Sequence, residues 1–152
     1  MLFTNLKWSR RKSQKYWSNH AGGYKLTLKI IVKGKAQGEV LVAKTPINFL
    51  GAVDKKTGKI RDENHDLFGK SLAEKILVFP FGVGSSVGAY TIYSLKSNKC
   101  APLAMICLKA DITTTSGCAL ANIPLVVASK EDYNSIKDGK KILLDAESGK
   151  IL

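Results

Sequence analysis

Gly82-Val83-Gly84-Ser85-Ser86 is the stretch of this chain best suited to chemistry. It follows the apolar run Lys75-Ile-Leu-Val-Phe79 and precedes a helix-like pattern, which puts the Ser85 hydroxyl at a helix start. Unpaired backbone N–H groups gather at such a start, and the helix dipole favours negative charge there. The glycines let the backbone turn sharply and let a ligand approach closely. The loop is not a P-loop, because the Gly-Lys-Ser/Thr ending is absent. It is not a full dinucleotide fingerprint. Val87 stands where a Gly-x-Ser-x-Gly elbow needs glycine. Two readings stay open. Ser85 either caps a tight strand-to-helix turn, or it is a reactive hydroxyl whose deprotonated form is held by backbone donors of residues 84–87, with Gly84 and Ser86 touching substrate.

The chain offers Ser85 no obvious general base. His20 lies in the basic N-terminal stretch and His65 in a polar loop. Each reads as structural or solvent-facing, and the sequence leaves open whether His65 or Asp54 reaches the loop. The pattern is that of part of an active site rather than a whole one. Cys100, Cys107 and Cys118 are odd in number, and their spacing matches no CxxC pair and no common iron–sulfur run. They read as reduced core residues, and no metal is assigned to this chain.

The elements that must position the loop follow from periodicity. Residues 24–32 alternate at strand period. Gly34 and Gly38 bracket a turn, and residues 39–43 read as a second strand. Residues 45–54 follow neither period and end in Asp54-Lys-Lys-Thr-Gly58, a turn sequence. The polar residues 59–69 read as a solvated loop, although long irregular segments are often functional. Residues 75–79 form a buried strand, and residues 85–97 a helix with Ser85 or Ser86 as its N-cap. Residues 102–108 form another buried strand, which completes a right-handed βαβ unit. A short helix over 113–121, a strand over 123–127, a helical turn over 131–137 and a strand over 141–145 follow, with a hairpin turn at Glu147-Ser-Gly149. Hairpins first and a βαβα half afterwards make a mixed α/β domain.

The chain has 152 residues, 45% hydrophobic and 24% charged, which suits one soluble globular domain. No apolar run approaches the roughly 20 residues that span a bilayer, and the basic N-terminus lacks the apolar region of a secretory signal. The expected location is the cytoplasm. The net charge of +12 invites a nucleic-acid reading. Lys7, Arg10, Arg11, Lys12, Lys15 and Lys25 carry about half of it without an acid among them, interleaved with Trp8, Tyr16 and Trp17. Aromatics among cations can stack on bases, but a flexible or partner-docking extension over residues 1–24 is the favoured reading.

Several separated motifs occur in order: Gly34-Lys-Ala-Gln-Gly-Glu39, Pro46-Ile-Asn-Phe-Leu-Gly-Ala-Val-Asp54, Gly69-Lys-Ser71, Lys75-Ile-Leu-Val-Phe-Pro80, Gly82-Val-Gly-Ser-Ser86 and Ile123-Pro124. Together they resemble the small subunit of the aconitase X group. The resemblance implies a swivelling β/β/α domain over residues 25–152, the counterpart of the mobile domain of aconitases. It implies a large partner subunit holding a [4Fe-4S] cluster through that subunit's own cysteines, with none ligated here. It implies a phosphorylated hydroxy-acid substrate and a hydro-lyase active only as the pair. That enzyme dehydrates (R)-5-phosphomevalonate to trans-anhydromevalonate 5-phosphate in the archaeal mevalonate route, with Ser85 as proton acceptor. The rival readings are the small subunit of a hydroxyproline dehydratase of the same group and a non-catalytic basic assembly domain. Two positions depart from the pattern. Val83 stands where relatives often carry Arg or Lys, and Ala52 replaces a glycine of Leu-Gly-Gly-Val-Asp.

Overall fold

The continuous apolar runs become the centre of a seven-stranded sheet in the order β1-β5-β4-β3-β2-β6-β7. The structure, a computed structural model, describes residues 27–152. The basic extension and the start of the expected 24–32 strand lie outside the described residues. The strands are β1 (Leu28–Val32), β2 (Lys35–Val42), β3 (Lys75–Phe79), β4 (Ala104–Cys107), β5 (Leu125–Ala128), β6 (Lys141–Asp145) and β7 (Lys150–Ile151). Strands β2 to β5 run parallel, while β1, β6 and β7 pair antiparallel with their neighbours. Central parallel strands are covered on both faces, so β4 and the part of β3 after Lys75 are continuously apolar rather than alternating.

Each face of the sheet has its own core. On one side Leu77, Phe79, Met105 and Cys107 meet Ile92, Leu95, Cys118 and Ala121. These come from the helices α2 (Gly88–Ser97) and α3 (Ile112–Ala121), which follow the short α1 (Phe49–Ala52) and precede α4 (Lys130–Ser135). On the other side Ile76, Val78, Ala104 and Ile106 meet Val40, Ile142, Leu144 and Ile151. The sheet curls to cover this second core with its own strands. Ala146 N donates to Gly34 O at 2.8 Å, and a Cβ added to Gly149 would sit 3.3 Å from Leu28 O. Two β layers and one helical layer result, which is the β/β/α arrangement.

Three expectations are corrected. Residues 34–38 are not a turn: β2 runs through Gly38, which pairs with Ile142. A Cβ there would lie 3.0 Å from Leu103 Cδ1, so this glycine marks a close approach inside a strand. Strands β1 and β2 do not form a hairpin, because β1 pairs with β5 and β2 with β3 and β6. Alternation identifies a strand and its faces, but not its partner. Third, α2 begins at Gly88, not Ser85. The preceding turn is closed by i+3 bonds from Gly88 N to Ser85 O (2.9 Å) and Ala89 N to Ser86 O (3.1 Å), a tighter winding than the α-helix that follows.

Candidate active site

The loop after β3 is fixed from several sides before it reaches the serine. Gly82 forms a parallel bridge with Ile47, where Ile47 N donates to Phe81 O (3.2 Å) and Val83 N donates to Ile47 O (2.9 Å). Gly82 N donates to Asp111 Oδ1 at 2.8 Å. The same carboxylate caps α3, taking Thr114 N on Oδ2 (3.0 Å) and the Thr114 hydroxyl on Oδ1 (2.8 Å). No side chain fits at Gly82, since a Cβ would stand 2.7 Å from Thr114 Oγ1 and 2.8 Å from Asp111 Oδ2. Gly84 has φ +92° and lies against Asn48, whose Oδ1 would be 2.5 Å from a Cβ there. Asn48 in turn caps α1, accepting from Gly51 N at 3.0 Å. Phe49, the first residue of α1, meets Phe79 at the end of β3 edge-on, with ring centroids 5.8 Å apart.

Ser85 emerges from this frame exposed. Its oxygen accepts from Val87 N at 3.2 Å, so its hydroxyl caps the tight turn rather than α2 itself, whose N-cap Val87 has no side-chain bond. Among the described residues no acceptor takes the N–H of Gly84, Ser85 or Ser86. A hydroxyl beside consecutive open donors suits a carboxylate or phosphate oxygen. No cation accompanies them in the loop: Val83 is 42% exposed, and Val87 and Tyr90 extend an apolar rim.

His65 and Asp54 serve elsewhere. Leu67 N donates to His65 Nδ1 (3.0 Å), so the proton sits on Nε2, which donates to Pro46 O (3.1 Å). Its neighbour Asp66 accepts from Lys44 N (2.8 Å) and from the Thr45 hydroxyl (2.6 Å) and N–H (3.2 Å). Burial alone would raise the Asp66 carboxyl, but these donors hold it below the usual range. Both side chains pin the segment that carries Ile47 and Asn48, so they support the loop without reaching Ser85. Asp54 belongs to the 54–58 turn. Its Oδ1 accepts from Lys56 N (2.8 Å), and that bond comes first among the causes that keep it ionised to lower pH. It lines a cleft of about 360 Å³ with Leu50, Lys55, Lys56, Arg61 and Thr91.

The cysteines do not fit a cluster. All are buried. Burial pushes the Cys107 thiol up to about 12, and Cys118 rises for the same reason. Their Sγ atoms face Val126 O (3.7 Å) and Met105 Sδ (3.6 Å). Among the described residues no group of His, Cys, Asp or Glu is arranged to hold a metal ion. Among the described residues no helix is long and apolar enough to cross a membrane.

Asn48 and Asp111 escape a reading of the sequence alone. Asp111-Ile-Thr-Thr carries a capping signal for α3, but nothing local ties it to Gly82, 29 residues away.

Comparison with known proteins matches the same frame. The model of the aconitase X swivel domain covers residues 25–152. The chain is 46% identical to the phosphomevalonate dehydratase small subunit of Thermococcus kodakarensis, over 84% of this chain and 94% of the relative. It is 44% identical to that of Methanosarcina acetivorans, over 84% and 89%. A crystal structure of Thermococcus kodakaraensis aconitase X in its holo-form superposes with a TM-score of 0.79 at 45% identity, covering 85% of this chain and 97% of the other. With its curled sheet, its helical layer and its serine loop, this chain belongs to the aconitase X swivel-domain family.

Proposed function

We propose that this chain is the small subunit of phosphomevalonate dehydratase, and that with a large subunit it removes water from (R)-5-phosphomevalonate. Ser85 oxygen takes the proton from the carbon beside the carboxylate. The electron pair left behind forms the carbon–carbon double bond, and the hydroxyl on the neighbouring carbon leaves as hydroxide with its bonding pair, giving trans-anhydromevalonate 5-phosphate. The iron expected on the large subunit would act as Lewis acid towards that hydroxide. Hydrogen bonds to an oxygen favour its deprotonated form, and Val87 N–H makes one. The open N–H groups of Gly84, Ser85 and Ser86 are placed to hold an oxygen of the substrate.

One observation supports the reading above all. The reactive loop is firmly anchored yet incomplete, with an exposed hydroxyl, open donors and no acid, base or cation of this chain hydrogen-bonded to the Ser85 hydroxyl among the described residues. Such a surface suits a site completed by a partner that also excludes water. The family's iron–sulfur cluster is assigned to that partner, because the thiols here are buried and uncharged. Residues 1–24 are proposed as an appendage and the pair as cytoplasmic.

Co-expression with the large subunit under anaerobic conditions, followed by an assay of water loss from 5-phosphomevalonate, tests this. The expected result is turnover by the pair and by neither subunit alone. Ser85→Ala abolishes turnover while the pair stays associated, and removal of residues 1–22 leaves turnover intact. Full activity of Ser85→Ala would sink the proton-acceptor role. Turnover of hydroxyproline in place of the phosphorylated substrate would move the chain to the sister activity.

A further inference from the structure

We infer that Asp111 is a positioning residue for Ser85, acting through the Gly82 N–H, and that this role is separable from its capping of α3. The inference rests on the reading of Ser85 as proton acceptor.

The Asp111 carboxylate accepts from Gly82 N, Thr114 N and the Thr114 hydroxyl. Only the Thr114 backbone bond is needed for a helix cap. The Gly82 bond joins two crossovers instead. Strands β3 and β4 are parallel neighbours, with Phe79 opposite Cys107. The loops that leave them therefore emerge side by side, one carrying Ser85 and the other Asp111. Gly82 is buried, so its N–H needs an acceptor, and the absence of a side chain is what admits the carboxylate. From that anchored peptide the chain reaches Ser85 in three residues, braced by Ile47 on Val83 N and by Asn48 under Gly84. Releasing Gly82 frees the upstream end of this span, and a misplacement of about 1 Å at a reacting group costs on the order of 10²-fold in rate.

Asp111→Ser in the assembled complex separates the two roles. Serine is a good N-cap but too short to hold Gly82 as well. The expected result is a melting temperature close to the parent's, KM within a few-fold and kcat lower by about 10- to 100-fold. Substrate deuterated at the carbon that loses its proton then shows an isotope effect on kcat at least as large as the parent's, because proton abstraction is the slowed step. Partial unfolding would lower the apparent rate together with the melting temperature. Asp111→Ala, which loses both roles, lowers melting temperature and kcat together. If Asp111→Ser does not fold, Asp111→Asn carries the same test, since its single acceptor oxygen cannot serve Gly82 N and Thr114 N with the parent geometry. A kcat within twofold of the parent, or a lowered kcat with a diminished isotope effect, overturns the inference. Retained turnover of Ser85→Ala overturns instead the reading on which it rests, whatever Asp111 does.

Discussion

Gly84 shows how closely the residues before Ser85 are specified. Its φ of +92° is a conformation that side chains rarely adopt, and the space beside it is filled by the Asn48 amide. Gly84→Ala is expected to cost about 1–3 kcal/mol, the range for strained backbone at functional sites. It should lower kcat further than that loss explains, because Asn48 must move and takes the cap of α1 with it. Denaturant midpoints and kcat of the assembled pair check both. The loop's position between a buried strand and a helix was legible in the sequence, because its glycines and serines interrupt one apolar run and precede the next. The loop's supports were not. Asn48 and Asp111 cap their own helices, and only the meeting of distant segments gives them a second duty at the loop. The sequence leaves open whether His65 or Asp54 reaches the loop, and their hydrogen bonds place them in support of neighbouring turns.

Among elements, the packing of α2 on α3 sets the direction from which the loop is presented. Gly117 on α3 lets the helices approach, since a Cβ there would be 2.6 Å from Ile92 Cδ1 and 3.2 Å from Ala89 O. Gly117→Ala overpacks that contact and is expected to destabilise by about 1–3 kcal/mol, read as a lower urea midpoint at unchanged slope. The buried strands are visible as continuous apolar runs, and the helix expected over 113–121 is found over 112–121. The pairing of β1 with β5 and of β2 with β6 is not visible in the sequence, because those contacts are made across most of the chain. The start of α2 lies three residues after the expected Ser85 for a local reason. Ser85 and Ser86 look like N-caps, but their carbonyls close a tighter turn first.

For the molecule as a whole, stability should form a plateau against pH. Burial raises Cys107 from its ordinary 9.0 and Tyr133 from 10.0, each to about 12 in the folded protein. The unfolded chain loses these protons first, so the stability they contribute is full below about pH 9 and falls as pH climbs towards 12. Asp66 and Asp145 behave oppositely. Burial opposes their charge, but hydrogen-bond donors hold both below 3.8. Their contribution is present above that value and is lost as pH falls through the folded range. Urea midpoints measured from pH 3 to 11 should therefore decline at both ends, and a midpoint that keeps rising above pH 9 would contradict the assignment.

The anchoring of the serine loop has a mechanical consequence. Gly82 is tied to Asp111, Val83 to Ile47, and the Ser85 oxygen to Val87. The hydroxyl thus has no slack with which to travel towards a substrate on its own. Any approach to a substrate held by another chain must carry the sheet and the helices packed on it as well. The friction of that journey is the drag of a whole protein body through water rather than the flicker of a surface segment.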